Sequence, residues 1–187
     1  MEYKGIKFDA IIATPGAGKT FLCEKYPNMF TDADKIKLGL KYEVPTDITT
    51  KELEITKGER TFKKRADYDF GKVSNLLDKH IKAGKIIIAP PNPEFWEYFG
   101  NRNIPVCLVY PAGNTRKELA KRLRARGNPK KTVQEFAGEK EFGFFTRYNT
   151  QDKRPAVKYE FTSNEFLEDI VKNFKVIPQK EAAIGTT

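Results

Sequence analysis

The chain has 187 residues with 39% hydrophobic composition, and its 34 Lys plus Arg against 25 Asp plus Glu leave a net charge of +9. That length suits one domain around one sizeable core. No apolar run is long enough to span a bilayer and no signal-peptide pattern opens the chain, so a soluble, cytoplasmic protein without a membrane partner is expected. The basic surplus predicts anionic partners and does not by itself separate a mononucleotide from DNA.

The first predicted strand runs from Ile6 to Ala13 and opens into Ala13-Thr14-Pro15-Gly16-Ala17-Gly18-Lys19-Thr20, a small residue, four of any kind, then Gly-Lys-Thr. This reads as a phosphate-binding loop. Glycines let backbone N–H groups of Gly16–Thr20 converge on phosphates without interference from Cβ atoms, and the following helix adds its positive end. Lys19 is expected along the β- and γ-phosphates of ATP and the Thr20 hydroxyl on Mg²⁺, with Pro15, Gly16, Ala17 and Gly18 forming the cradle. A first helix from Lys19 to Tyr26 is stopped by Pro27.

Asn28–Thr31 is a short strand candidate that delivers Asp32 and Asp34 at its carboxyl end. The pattern from Val44 to Arg65 loses periodicity and carries a run of basic residues around Phe62, which marks a substrate-facing insertion. Phe70, Val73, Leu77 and Ile81 then define one face of a helix over 66–83 ended by Gly84, with the single histidine, His80, on its flank. One histidine excludes a His-based metal cage and speaks against a nucleophile–His triad. Lys85–Ala89 and Ile104–Tyr110 are strands apolar on both faces. A helix over 115–126 follows, then a strand over 156–161, and Thr162–Glu165 as a capping box for a helix bearing Phe166, Leu167, Ile170, Val171 and Phe174. Cys23 and Cys107 fall within apolar elements and read as buried thiols rather than a disulfide. Five strands alternating with helices predict an α/β, doubly wound parallel sheet of the P-loop NTPase fold, a single domain over 1–177 with a lid over about 112–150 and a loose tail over 178–187.

Three groups lie where the carboxyl ends of the strands should be. Asp32 and Asp34 can divide labour, Asp32 on the metal side and Asp34 as general base; the strand Ile86–Ala89 ends without an acid, which shifts the metal role to Asp32. The same two residue types also fit a helix cap. In the basic helix, Leu119 and Leu123 set the packed face, Arg122 and Arg126 lie beside it, Arg116 flanks it, and Lys121 and Arg124 point to solvent. Trp96 or Phe95 offers base stacking and Asn92 a base-edge contact, and these residues equally suit a helix start and its core contacts.

The loop Ala13–Thr20, Arg122 and Arg126 followed by Gly127-Asn128, and the closing strand–helix unit resemble small P-loop kinases of the nucleoside monophosphate kinase-like class, in particular those of bacteriophages. The stretch Phe30–Ile36 is similar to the Asp-x-Asp motif of shikimate and gluconate kinases, whose acceptors are hydroxyl groups. The resemblance implies ATP and Mg²⁺ as cofactors, Lys19 and Thr20 as phosphate and metal contacts, Asp32 as metal-side acid, Asp34 as acceptor-binding acid, and Arg122 and Arg126 as lid arginines. Ala13 stands where the family usually has Gly, and Val44–Arg65 has no counterpart. The expected activity is transfer of the γ-phosphate to a hydroxyl of a nucleic-acid acceptor, such as a 5-hydroxymethyl pyrimidine in DNA or a 5′ end. A deoxynucleoside monophosphate kinase and a nucleic-acid-stimulated ATPase remain the other readings.

Overall fold

The computed structural model describes residues 1–38, 70–139, 142–143 and 149–176. The predicted insertion 44–65, with Phe62 and its basic neighbours, lies outside these residues, as does the tail 178–187.

The predicted first strand is two elements. Strands β1 (Glu2–Tyr3) and β2 (Ile6–Lys7) form an antiparallel hairpin pairing Glu2 with Lys7 and Tyr3 with Ile6. Lys4 and Gly5 supply its turn, with φ of +51° and +81°, the mirror-image geometry that suits a two-residue hairpin. Only the apolar half, β3 (Ala10–Ala13), enters the main sheet.

The main sheet is built from β3, β4 (Phe30–Asp32), β5 (Ile86–Ala89), β6 (Val106–Pro111) and β7 (Val157–Phe161), in the order β4-β5-β3-β6-β7 and parallel throughout. Ile11 pairs with Ile88 on one side and Cys107 on the other. The chain leaves β3 toward β4 and leaves β6 toward β7 in the opposite direction, so the order reverses between β3 and β6 and a crevice opens at their carboxyl ends. The fold is therefore the expected α/β doubly wound parallel sheet.

Alternation along each strand divides the core. Ile11, Ile88, Cys107 and Val109 face one side, where α1 (Lys19–Lys25) and α7 (Leu167–Val171) cover them with Leu22, Cys23, Leu167 and Ile170. Ile12, Ile87, Ala89 and Leu108 face the other, against α3 (Phe70–Lys82) and α4 (Pro93–Asn101) through Val73, Leu77, Phe95 and Phe99. Each such side chain contributes about 1.5–3 kcal/mol by leaving water, and burial on both faces is why these strands read as continuous apolar runs. Burial pushes the thiols of Cys23 and Cys107 up to about 12, so both are free, neutral and inert.

A short helix α2 (Ala33–Leu38) follows β4 directly. Beyond β6, a turn of 3₁₀ helix at Gly113–Thr115 leads into α5 (Arg116–Ala125), and α6 (Lys130–Ala137) follows. Leu119, Ala120, Leu123, Val133, Ala137 and Phe142 give this pair a small apolar core of its own. Gly127, at φ +70°, turns the chain between them.

Candidate active site

The loop between β3 and α1 takes its shape from two glycines. Gly16 and Gly18 have φ of +85° and +94°, a region that residues with a Cβ adopt only under strain. A Cβ on Gly16 would lie 2.7 Å from Leu119 Cδ1, and one on Gly18 would lie 3.4 Å from Phe166 Cδ1. The loop is thus pressed between α5 and the turn before α7. The Leu167 N–H donates to the Ala17 carbonyl at 2.7 Å and the Ala17 N–H to the Thr14 carbonyl at 3.3 Å, which fixes the backbone from within the protein.

Lys19 is buried and folds back over the loop, its Nζ donating to the carbonyls of Ala13 at 3.0 Å and Thr14 at 3.2 Å. Burial lowers its pKa; the charges of Asp34 and then Asp32 oppose that, and Arg126 reinforces it. Two predicted acids and one predicted arginine therefore act on the loop lysine. The Thr14 hydroxyl, fully buried in the same loop, has no hydrogen-bond partner among the described residues.

Asp32, the last residue of β4, is buried and accepts a hydrogen bond from Thr20 Oγ1 at 3.1 Å through Oδ2. Its Oδ1 accepts the Asp34 N–H at 3.0 Å, which caps the start of α2. The cap and the site thus use opposite oxygens of one carboxylate. Among the described residues no three His, Cys, Asp or Glu side chains gather into a metal cage. A Mg²⁺ site needs only one or two carboxylates beside phosphate and water oxygens, and Thr20 with Asp32 fits that donor set.

A cavity of about 640 Å³ opens beside the loop, lined by Gly16, Gly18, Thr20, Phe21, Arg126 and Phe166 among others. The two predicted lid arginines differ sharply there. Arg122 is buried: Nε donates to Glu118 at 3.2 Å, Nη1 to the Glu165 carbonyl at 2.9 Å and Nη2 to the Ser163 carbonyl, while its guanidinium stacks 3.9 Å from the centre of the Phe166 ring. Two of these bonds and the ring contact hold the Ser163–Phe166 turn to α5. Arg126, the C-cap of α5, is exposed, and both arginines line the cavity.

Arg122 also explains where the last helix begins. Glu165 does close on Thr162, accepting from its N–H at 2.7 Å and its hydroxyl at 2.8 Å, yet the helix starts only at Leu167. In a helix continuing from Thr162, the Ser163 and Glu165 carbonyls would accept from Leu167 and Asp169. Here Arg122 occupies both: the Leu167 N–H donates to the Ala17 carbonyl and the Asp169 N–H to the Phe166 carbonyl at 2.9 Å, while the Asp169 carboxylate accepts the Phe166 N–H at 3.2 Å.

The aromatic group after β5 lies apart from these contacts. Asn92 caps α4, its Oδ1 accepting the Glu94 N–H at 2.8 Å; Phe95 is fully buried; and the Arg154 guanidinium stacks on Trp96 at 4.3 Å. His80 sits in the last turn of α3. Phe166 was legible only as one of a helical stripe, and its place beside Gly18 depends on the turn that Arg122 holds. No pattern in the sequence carries that information.

No protein-family model and no curated protein matches the chain. Among solved structures it is similar to an uncharacterized protein from Eubacterium ventriosum ATCC 27560, with 13% identity over 87% of this chain and 92% of that one and a TM-score of 0.44.

Proposed function

We propose that the protein is an ATP-dependent phosphotransferase that moves the γ-phosphate to a hydroxyl group of a nucleic-acid acceptor. The observation that carries this reading is the joining of Thr20 to Asp32 at 3.1 Å beside a loop whose two glycines hold left-handed conformations. The N–H groups from Gly16 to Thr20 and the Lys19 ammonium would hold the phosphates; Thr20 and Asp32 would hold Mg²⁺. Bound Mg²⁺ neutralises charge on the phosphate oxygens.

The acids account for transfer. An acceptor hydroxyl loses its proton to the Asp34 carboxylate as its oxygen bonds to the γ-phosphorus, while the bond from that phosphorus to the β-phosphate oxygen breaks and ADP leaves. Lys19 and Arg126 stabilise the negative charge that develops. Arg122, bonded to the Ser163 and Glu165 carbonyls and stacked on Phe166, is a positioning residue for α5 and Phe166.

The test offers γ-labelled ATP with mononucleotides, 5′-hydroxyl oligonucleotides and DNA bearing hydroxymethyl pyrimidines. Label on a nucleic-acid hydroxyl is the expected outcome. Label on a deoxynucleoside monophosphate points to the monophosphate kinase instead, and DNA-stimulated release of inorganic phosphate alone points to an ATPase. Lys19→Ala should abolish turnover, and Asp34→Asn should lower kcat by about 10²–10⁴-fold with ATP still bound. Unchanged kcat in Asp34→Asn would remove the general base from the mechanism.

A further inference from the structure

Few large apolar side chains stay exposed among the described residues: Ile6, Phe21, Met29, Leu76, Phe166 and Val176. Of these only Phe21 and Phe166 are aromatic, and both line the cavity beside the phosphate loop. A single exposed ring is ordinary, whereas two that share one cavity mark a place where something apolar is bound.

Phe166 has the geometry of a platform. The Arg122 guanidinium stacks on one face of its ring at 3.9 Å, and Arg122 is itself buried, so that face looks into the protein. Phe166 is nonetheless 44% exposed, which leaves the opposite face open to the cavity. The edge of the ring meets the loop, since a Cβ on Gly18 would lie 3.4 Å from Phe166 Cδ1. Phe21 follows Thr20 on α1 and is 56% exposed. Lys25 ties the two walls together: it pairs with Glu168 of α7, and its ammonium lies 5.7 Å from the centre of the Phe21 ring. A cavity of about 640 Å³ with a mostly apolar lining suits a small flat molecule. Because the platform touches the phosphate loop, that molecule can be the base of a nucleotide whose phosphates the loop holds.

The polar groups of the same cavity give little to read the edge of that base. Each of its three carboxylates already accepts from a lysine: Glu24 from Lys35, Glu168 from Lys25 and Asp169 from Lys172. A site rejects the wrong ligand strongly when that ligand leaves buried polar groups unpaired. Carboxylates that hold a lysine are left unpaired by neither purine. Stacking, in contrast, uses the face of the ring, which every base has.

We propose that the open face of Phe166, with Phe21 on the α1 side of the same cavity, holds the base of the nucleoside triphosphate by stacking and takes adenine and guanine alike. This rests on the reading of Gly16–Thr20 as a triphosphate site, and it adds GTP to ATP as a phosphate donor.

The experiment measures binding of ATP, GTP and inorganic tripolyphosphate to the full chain by titration calorimetry with Mg²⁺ present. ATP and GTP should bind within about threefold of each other, and tripolyphosphate at least about fivefold more weakly. Phe166→Ala should weaken both nucleotides by at least about fivefold and leave tripolyphosphate unchanged, whereas Phe166→Trp should keep the affinity of all three. Phe21→Ala, at an exposed helix position, should weaken both nucleotides in the same sense, and it keeps the test decisive if loss of Phe166 unsettles the turn. A preference of more than about tenfold for either purine would mean that the edge is read, and would overturn the proposal. So would tripolyphosphate binding as tightly as ATP, or tripolyphosphate losing as much as ATP in Phe166→Ala, which would make Phe166 a support of the loop and not a platform. Nucleotide affinity unmoved by both alanine variants would overturn it as well. Failure of all three ligands to bind the unaltered protein sinks the phosphate-loop reading itself, an outcome distinct from triphosphate binding without a contribution from the base.

Discussion

At Gly16 two constraints coincide, a left-handed φ of +85° and the approach of Leu119 Cδ1 to within 2.7 Å of where a Cβ would lie. They separate experimentally, because a leucine tip can rotate away while the backbone angle cannot be relieved. Gly16→Ala should cost about 1–3 kcal/mol in urea denaturation, and adding Leu119→Ala should restore none of it. Recovery in the double variant would mean that the clash with the leucine, and not the backbone angle, is what excludes a side chain at this position. Lys19 makes a related point. The Gly-Lys-Thr spacing announced it, whereas the two carbonyls it rests on, at 3.0 and 3.2 Å, depend on how the loop closes.

Among the elements, the three central strands were legible because burial on both faces leaves a continuous apolar run. The hairpin was not. Two strands of two residues each are too short for any period to register, and Lys4-Gly5 is a weaker turn signal than Asn-Gly. The delayed start of α7 was hidden for a different reason: a local capping pattern was overridden by Arg122, more than forty residues earlier, which claims the carbonyls the helix would have used. Arg122→Gln should therefore act on stability first, costing about 3 kcal/mol by urea denaturation. Arg122→Lys should recover little of this, since one ammonium cannot serve two carbonyls and stack on Phe166 as well. A destabilisation below about 0.5 kcal/mol, the level of an ordinary surface substitution, would return Arg122 to the groups awaiting phosphate.

For the molecule as a whole, the nearness of the Gly-rich loop and Asp32 was legible because both come from strand ends that the topology must bring together. The loop after β3 and Asp32 at the end of β4 lie across an intervening β5. What escaped was everything contributed by α5 and the final turn, whose placement follows from packing rather than pattern. No helix among the described residues is long and apolar enough to cross a membrane. Burial on the same side of the sheet makes Cys23 and Cys107 reporters of global opening. A thiol reagent at pH 8 should leave both unmodified in the folded protein and label both together as urea unfolds it. Rapid labelling of either thiol in the native state would show local opening at that strand or helix.

The strand order also sets a timetable for folding. Strand β3 is the first of the main sheet to leave the ribosome, yet its partners are Ile87–Ala89 on one side and Val106–Val109 on the other. Until those distant segments arrive, Ile11 and Ile12 have no sheet to enter, and closing the intervening chain costs entropy before any pairing repays it. Among the strands of the main sheet its central one is made first and waits for distant partners, and during that wait its apolar run is exposed to aggregation.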